Sequence, residues 1–266
     1  MDYKMGDSFY VTGIVSVKHL NLLEKDKIHM CLANVARLSD EYKEFYKRKA
    51  KEGCFVLMDN GAAEGDQPSN EEILSLAKEI NPTELILTDT LYDNADTVRR
   101  STEALNLYKE GGLTCGFMVV PQGKNLEDWE DCLRKLLALD GVTSVGVSKF
   151  ISMWEEKGYC EVSGDDARYK ALEVIEKVVA ETGKDVGVHL LGSHIGVFEI
   201  KRVKDAFKRV RSSDSAFAYI AAQAGVEVGL DVRRPKGEID FVDGVVDEDL
   251  LDKNLQSIRD LLNSEE

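Results

Sequence analysis

A short apolar segment recurs about every 30 residues along this chain, the length of one strand–helix unit. The segment ends fall near Asp59, Asp89, Val120 and Lys149, in CFVLMDNGAAE, ELILTDT, TCGFMVVPQG and VTSVGVSKF. An earlier strand is expected in KIHMCLANVA, and a later one in DVGVHLLG, reached through Gly183. Helical spacing fills the intervals. SDEYKEFYKRKAKEG opens on Ser39 or Asp40 and closes on Gly53, while SNEEILSLAKEIN carries a Ser69–Glu72 capping box. Further helices are expected from about Asp96 to Glu110, Leu126 to Leu139 and Asp166 to Thr182, with a sixth running to Arg211. Doubly buried apolar strands alternating with amphipathic helices predict a parallel sheet. Six or seven such units in 266 residues predict an α/β fold, a single (β/α)8 TIM-type barrel occupying residues 1–266 as one domain. The eighth strand is expected in VEVGLDV (Val226 to Val232) or in the first residues, and Asp247 to Leu262 reads as a closing helix.

Composition narrows the function classes. The N-terminus has no basic segment followed by an apolar run, and no stretch approaches the roughly 20 apolar residues of a membrane span. A cytoplasmic protein without membrane association is expected. Cys31, Cys54, Cys115, Cys132 and Cys160 are scattered with no C-x-x-C pair, which argues against a disulfide framework or a closed Cys-rich zinc site. His189 and His194 lie five apart across a glycine turn, poor spacing for a metal pair, so no metal and no cofactor are expected. A net charge of −15 argues against nonspecific coating of nucleic acid but leaves room for local basic patches. One such patch holds Lys201, Arg202, Lys204, Lys208, Arg209 and Arg211; a second holds Arg233, Arg234 and Lys236. The first patch also fits the solvated face of a helix.

In a parallel barrel the C-terminal strand ends surround the site. Asp59, Asp89, Gln122 with Gly123, Ser148 with Lys149, His189 and Asp214 are expected there. Asp214 sits in Ser-Ser-Asp-Ser, which equally suits a cap for the helix-like FAYIAAQAG that follows. No Gly-rich phosphate loop and no nucleophile elbow is present. Paired carboxylates without metal ligands point to glycosidic-bond chemistry, in which one attacks the anomeric carbon and the other handles protons.

Asp-Asn-Gly-Ala at 59–62, Thr-Asp-Thr at 88–90, Pro-Gln-Gly at 121–123, Gly-Val-Ser at 146–148, His-Leu-Leu-Gly at 189–192 and Asp-Ser-Ala at 214–216 follow one another in this order. Over residues 27 to 222 the chain thereby resembles the tRNA-guanine transglycosylases, most of all their archaeal branch and their phage and bacterial relatives that insert 7-deazaguanine bases into DNA. The resemblance implies a (β/α)8 barrel that exchanges a base at C1′ of a guanosine nucleotide. It assigns Asp214 as the nucleophile that holds the sugar as a covalent ester, and Asp59 as the carboxylate that moves protons. Asp89 and Gln122 would read the polar edge of the base, Gly123 and Gly146 would offer backbone contacts, and Leu191 would cover the base. His189 belongs to the same expected substrate-binding set.

The chain departs from the family at two places. Asp59-Asn60-Gly61-Ala62-Ala63 stands where many members carry a phenylalanine after the glycine pair, so the stacking partner of the base is missing from this motif. Neither the Cys-x-Cys-x-x-Cys zinc element nor the C-terminal RNA-binding domains of archaeal members are read in these 266 residues. DNA is therefore expected ahead of tRNA as the polymer, with a 7-deazaguanine base as second substrate. Lys204, Lys208, Arg209, Arg233 and Arg234 are the expected nucleic-acid contacts. Two other readings compete: a non-catalytic nucleic-acid-binding subunit, and an unrelated barrel enzyme acting on a small phosphorylated substrate. A homodimer and a separate partner subunit are both compatible with the sequence.

Overall fold

The computed structural model describes residues 9–160, 164–192 and 195–264. Eight parallel strands alternate with helices in a nearly closed barrel. The strands are β1 (Tyr10–Gly13), β2 (Ile28–Leu32), β3 (Phe55–Asp59), β4 (Glu84–Ile86), β5 (Gly116–Val119), β6 (Val142–Ser148), β7 (Gly187–Leu191) and β8 (Val210–Ser215). Their order is β1-β8-β7-β6-β5-β4-β3-β2, so β1 and β2 form the seam. They lie side by side there without pairing in register. Every residue of β2 is buried, as expected for strands covered on both faces.

Nine α-helices are described: α1 (Ala33–Leu38), α2 (Asp40–Lys51), α3 (Asn70–Ile80), α4 (Asn94–Glu110), α5 (Leu126–Leu137), α6 (Gly164–Thr182), α7 (Val197–Ala206), α8 (Phe217–Gln223) and α9 (Glu248–Asn263). Five of the starts follow caps written in the sequence. Ser39, Asp93, Asn125 and Asp247 each accept from a backbone N–H in the first turn. Ser69 and Glu72 form the reciprocal box expected for α3. No helix among the described residues is long and apolar enough to cross a membrane.

One open expectation is decided and two are corrected. Of the two places expected for the eighth strand the first residues hold it, as β1, and the other, Val226 to Val232, forms no strand. That segment has lost the ladder to Asn254 of α9, whose side chain accepts from Val228 N and donates to Val226 O. KIHMCLANVA is half strand and half helix, because the chain turns into α1 directly after Leu32. The sixth helix stops at Ala206, and Arg211 belongs to β8. Arg211 pairs there with the buried Glu84 of β4, which also accepts from the hydroxyls of Thr143 (3.0 Å) and Ser144 (2.7 Å). These groups lie toward the strand starts and plug the N-terminal end of the barrel.

Residues 224–247, between α8 and α9, carry no regular strand or helix and cross the C-terminal end of the barrel. Arg234 N–H donates to Ile195 O on one side. Phe241 O accepts from Val17 N–H, and Gly244 O from the Ser16 hydroxyl, on the other. A connection this long in a compact domain is characteristic of a segment that builds a site.

Candidate active site

The strand ends and this crossing segment enclose a pocket of about 380 Å³, within the range of small-molecule sites. Asp59, Asp89 and Asp214 all line it, together with Asn60, Lys149, Leu191 and Arg234. Three of the expected carboxylates therefore meet although the chain separates Asp59 from Asp214 by most of its length.

Asp214 is 5% exposed and belongs to β8. It does not cap α8; the Ser215 hydroxyl accepts from Phe217 N–H instead. The Asp214 carboxylate faces β7. Oδ1 accepts from His189 Nε2 at 3.1 Å and from Gly192 N–H at 3.0 Å, and among the described residues Oδ2 accepts from none. A carboxylate offers only acceptors, so Nε2 of His189 carries its proton. Nδ1 then faces the Ser212 hydroxyl at 2.8 Å, two residues before Asp214 on the same strand. His189 is 1% exposed, sits in the middle of β7 and stands behind Asp214, so it is not placed on the pocket surface.

Asp89 lies three residues past the end of β4 and is 4% exposed. Asn60 Nδ2 donates to its Oδ1 at 2.8 Å and Gln122 Nε2 to its Oδ2 at 2.7 Å. Burial pushes the Asp89 carboxyl above its usual range, and these two amide donors pull against that shift. Arg100 of α4 holds the Asp89 carbonyl at 3.3 Å and the Thr90 hydroxyl at 3.0 Å. Gln122 is 1% exposed, with its carbonyl taken by Tyr92 N–H, so it braces Asp89 from behind. Asp59 ends β3, and its Oδ2 accepts from Gly61 N–H at 3.0 Å, in a turn that needs the positive φ of Gly61.

The two expected glycines serve the scaffold. Gly123 packs against α5, where a Cβ would come within 2.6 Å of Trp129 N, and its carbonyl accepts from Trp154 Nε1. Gly146 makes room under the pocket, since a Cβ there would lie 2.7 Å from Leu191 Cδ1. Leu191 lines the pocket. Aromatic lining comes from Phe150 and Phe241, while Ala62 and Ala63 line the pocket with small side chains.

The two basic patches separate. Lys204 pairs with Asp205 and donates to Leu262 O, Arg209 pairs with Glu176 and Asp185, and Lys208 is exposed. These three lie at the N-terminal end of the barrel, where α7 has run back past the strands. The structure does not bring them to the pocket. Arg234 does line it, with Arg233 exposed beside it. Burial holds the Arg234 guanidinium below its ordinary value.

His189 is committed to Ser212 and Asp214, and His194 falls outside the described residues. Among the described residues no cluster of three or more His, Cys, Asp or Glu side chains is placed to hold a metal. The pattern of strand ends alone does not single out Asn60, Ser212 or Arg168. A signal existed for Arg168, which falls on the stripe of Ala171, Leu172 and Ile175 at helical spacing, where an apolar residue is expected. No family model and no curated protein matches the sequence.

Proposed function

We propose that this barrel is a base-exchange transglycosylase that replaces guanine in nucleic acid, DNA in the first instance, with a 7-deazaguanine base. The observation that carries the reading is the carboxylate of Asp214. Two donors hold Oδ1, and Oδ2 is left for a pocket that Asp59 and Asp89 also line. Fixing one oxygen of a nucleophile and sparing the other lowers the cost of reaching an attacking geometry.

In the first half-reaction Oδ2 of Asp214 bonds to C1′ of the target nucleotide. The C1′–N9 bond breaks, its electron pair leaves with guanine, and Asp59 delivers the proton. In the second, the incoming base gives its N9 proton to Asp59, and N9 displaces Asp214 from C1′. Two displacements return the original configuration at C1′. Asp89 is a buried acceptor suited to the N–H and amino donors of a guanine edge. Leu191, Phe150 and Phe241 supply apolar cover. DNA is preferred over tRNA because no cysteine follows Cys160, so the zinc element of the tRNA-acting proteins has no counterpart here. Arg234 at the pocket, with Arg233 beside it, is the cation set for the flanking phosphates.

The test is base exchange on matched DNA and tRNA with a 7-deazaguanine base supplied. Wild-type protein exchanges label into DNA and forms an adduct stable to denaturation, and Asp214→Ala does neither while keeping its fold. Asp59→Ala also loses turnover, for want of a proton carrier. Activity of Asp214→Ala within tenfold of wild type, about 1.4 kcal/mol of barrier, overturns the assignment. Exchange into folded tRNA alone transfers the reading to that polymer.

A further inference from the structure

The Gly192 N–H that holds Asp214 sits in a turn with φ +67°, where a Cβ would lie 2.8 Å from Lys149 Cδ. What holds this turn in place comes from elsewhere in the chain. Arg168 of α6 is 0% exposed, and its Nη2 donates to Leu191 O at 2.9 Å and to Gly192 O at 3.0 Å. Its Nη1 faces Glu199 of α7, itself 2% exposed, at 3.4 Å. Neither Arg168 Nε and Nη1 nor the two Glu199 oxygens gain a hydrogen bond among the described residues.

Such a pair is a poor device for stability. Desolvating two charges costs more than a loosely bonded contact returns, and apolar side chains of similar volume commonly replace buried pairs without loss. Its geometry does serve the site, because the one well-bonded nitrogen of Arg168 grips the two carbonyls beside the amide that faces Asp214.

We propose that Arg168, kept in place by Glu199, is a positioning residue that aims the Gly192 amide at Asp214 Oδ1. Its consequence for catalysis rests on the proposed role of Asp214; its consequence for the turn does not. The arrangement gives the nucleophile two supports of separate origin, His189 backed by Ser212 and Gly192 backed by Arg168. Arg168 reaches no pocket surface, so its loss acts on the reaction and not on substrate affinity.

The experiment replaces the pair with apolar residues, Arg168→Met with Glu199→Leu, so that no lone charge is left buried. Amide hydrogen exchange at Gly192 is read together with kcat and KM for base exchange. The double variant keeps its thermal midpoint at or above wild type. Its Gly192 amide exchanges at least tenfold faster while Val145 and Leu190 stay protected, and kcat falls ten- to a hundredfold at unchanged KM. Arg168→Lys, which keeps the charge but shortens the grip, shows smaller losses of the same kind and serves if the double variant does not fold. Unchanged exchange at Gly192, or protection lost equally across β6 and β7, overturns the proposal. If wild-type protein shows no base exchange, the proposed function fails, and the Gly192 comparison still decides the positioning.

Discussion

At the scale of single residues the candidate site is defined by which carboxylate oxygens are held and which is left open, as Oδ2 of Asp214 is among the described residues. Asp89 is the clearest case, since each carboxylate oxygen accepts from a different amide, Asn60 on one side and Gln122 on the other. Asn60 is itself occupied, donating also to Leu87 O and accepting from Ala62 N–H. Asp89→Asn therefore sets an NH2 group against one of two donors. Although it removes a buried charge, it should destabilise the protein by about 1–3 kcal/mol, the cost of an orphaned buried amide. Denaturant unfolding measures this, and a rise in KM for the base should accompany it. A variant as stable as wild type would show that the amides have other partners to turn to.

At the scale of elements the strands set which side chains share space. Gly146 on β6 stands beside His189 on β7 in register, under the Leu191 side chain. Gly146→Ala places a methyl 2.7 Å from Leu191 Cδ1, 3.0 Å from Met118 Sδ and 3.1 Å from Val120 Cγ2. Leu191 is the neighbour that borders open space, so it should swing into the pocket. KM for the base should rise by about tenfold, equivalent to about 1.4 kcal/mol of lost binding, with little change in kcat. Steady-state kinetics checks this, and an unchanged KM would mean that the strand moves instead of the side chain.

Strand β2 carries a second consequence. Burial brings the imidazole of His29 down to about 4; its ring packs edge-on against Phe45 and Tyr46, and Nε2 lies 3.0 Å from Asp26 O. A histidine whose folded pKa is depressed contributes stability that is present above its unfolded value, about 6.5, and is lost as pH falls toward 4. Between pH 7 and pH 4.5 this group should cost the fold about 2 kcal/mol. His29→Phe should flatten that part of the stability curve, as read by denaturant midpoints at the two pH values. An equal slope in both proteins would place the titration elsewhere.

At the scale of the whole molecule, the proposed function asks a chain of net charge −15 to bind a polyanion through a few cations in the right place. Arg233 and Arg234 are carried on the segment that covers the pocket; Lys204, Lys208 and Arg209 are at the opposite end of the barrel. Neutralising Arg233 and Arg234 together should weaken nucleic-acid binding and flatten its log–log salt dependence by up to about two units. Neutralising Lys204, Lys208 and Arg209 should leave both unchanged. Titrations at several salt concentrations separate the two sets, and the reverse pattern would move the polymer to the other face.

Local information was enough for the sequence to determine the repeating unit and therefore the barrel. Apolar runs of strand length, cap residues such as Ser69 with Glu72, and glycines after helices are all read within a few residues of one another. Placing Asp59, Asp89 and Asp214 at strand ends likewise placed them at one end of the barrel, because parallel strands share a direction. What lies between strands was not legible. Asp214 read equally well as a helix cap until β7 brought His189 and Gly192 against it, and Arg211 read as part of a helix face until β4 supplied Glu84. Lys204 and Arg234 are both basic residues in a cluster, yet one faces away from the pocket and the other lines it. Arg168 and Glu199 stand 31 positions apart on different helices, and only the packing of α6 against the β7–α7 turn makes them a pair. The tertiary structure decided these points because hydrogen bonds and charge contacts depend on distances of a few ångströms between segments, which the local periodicity of a chain does not encode.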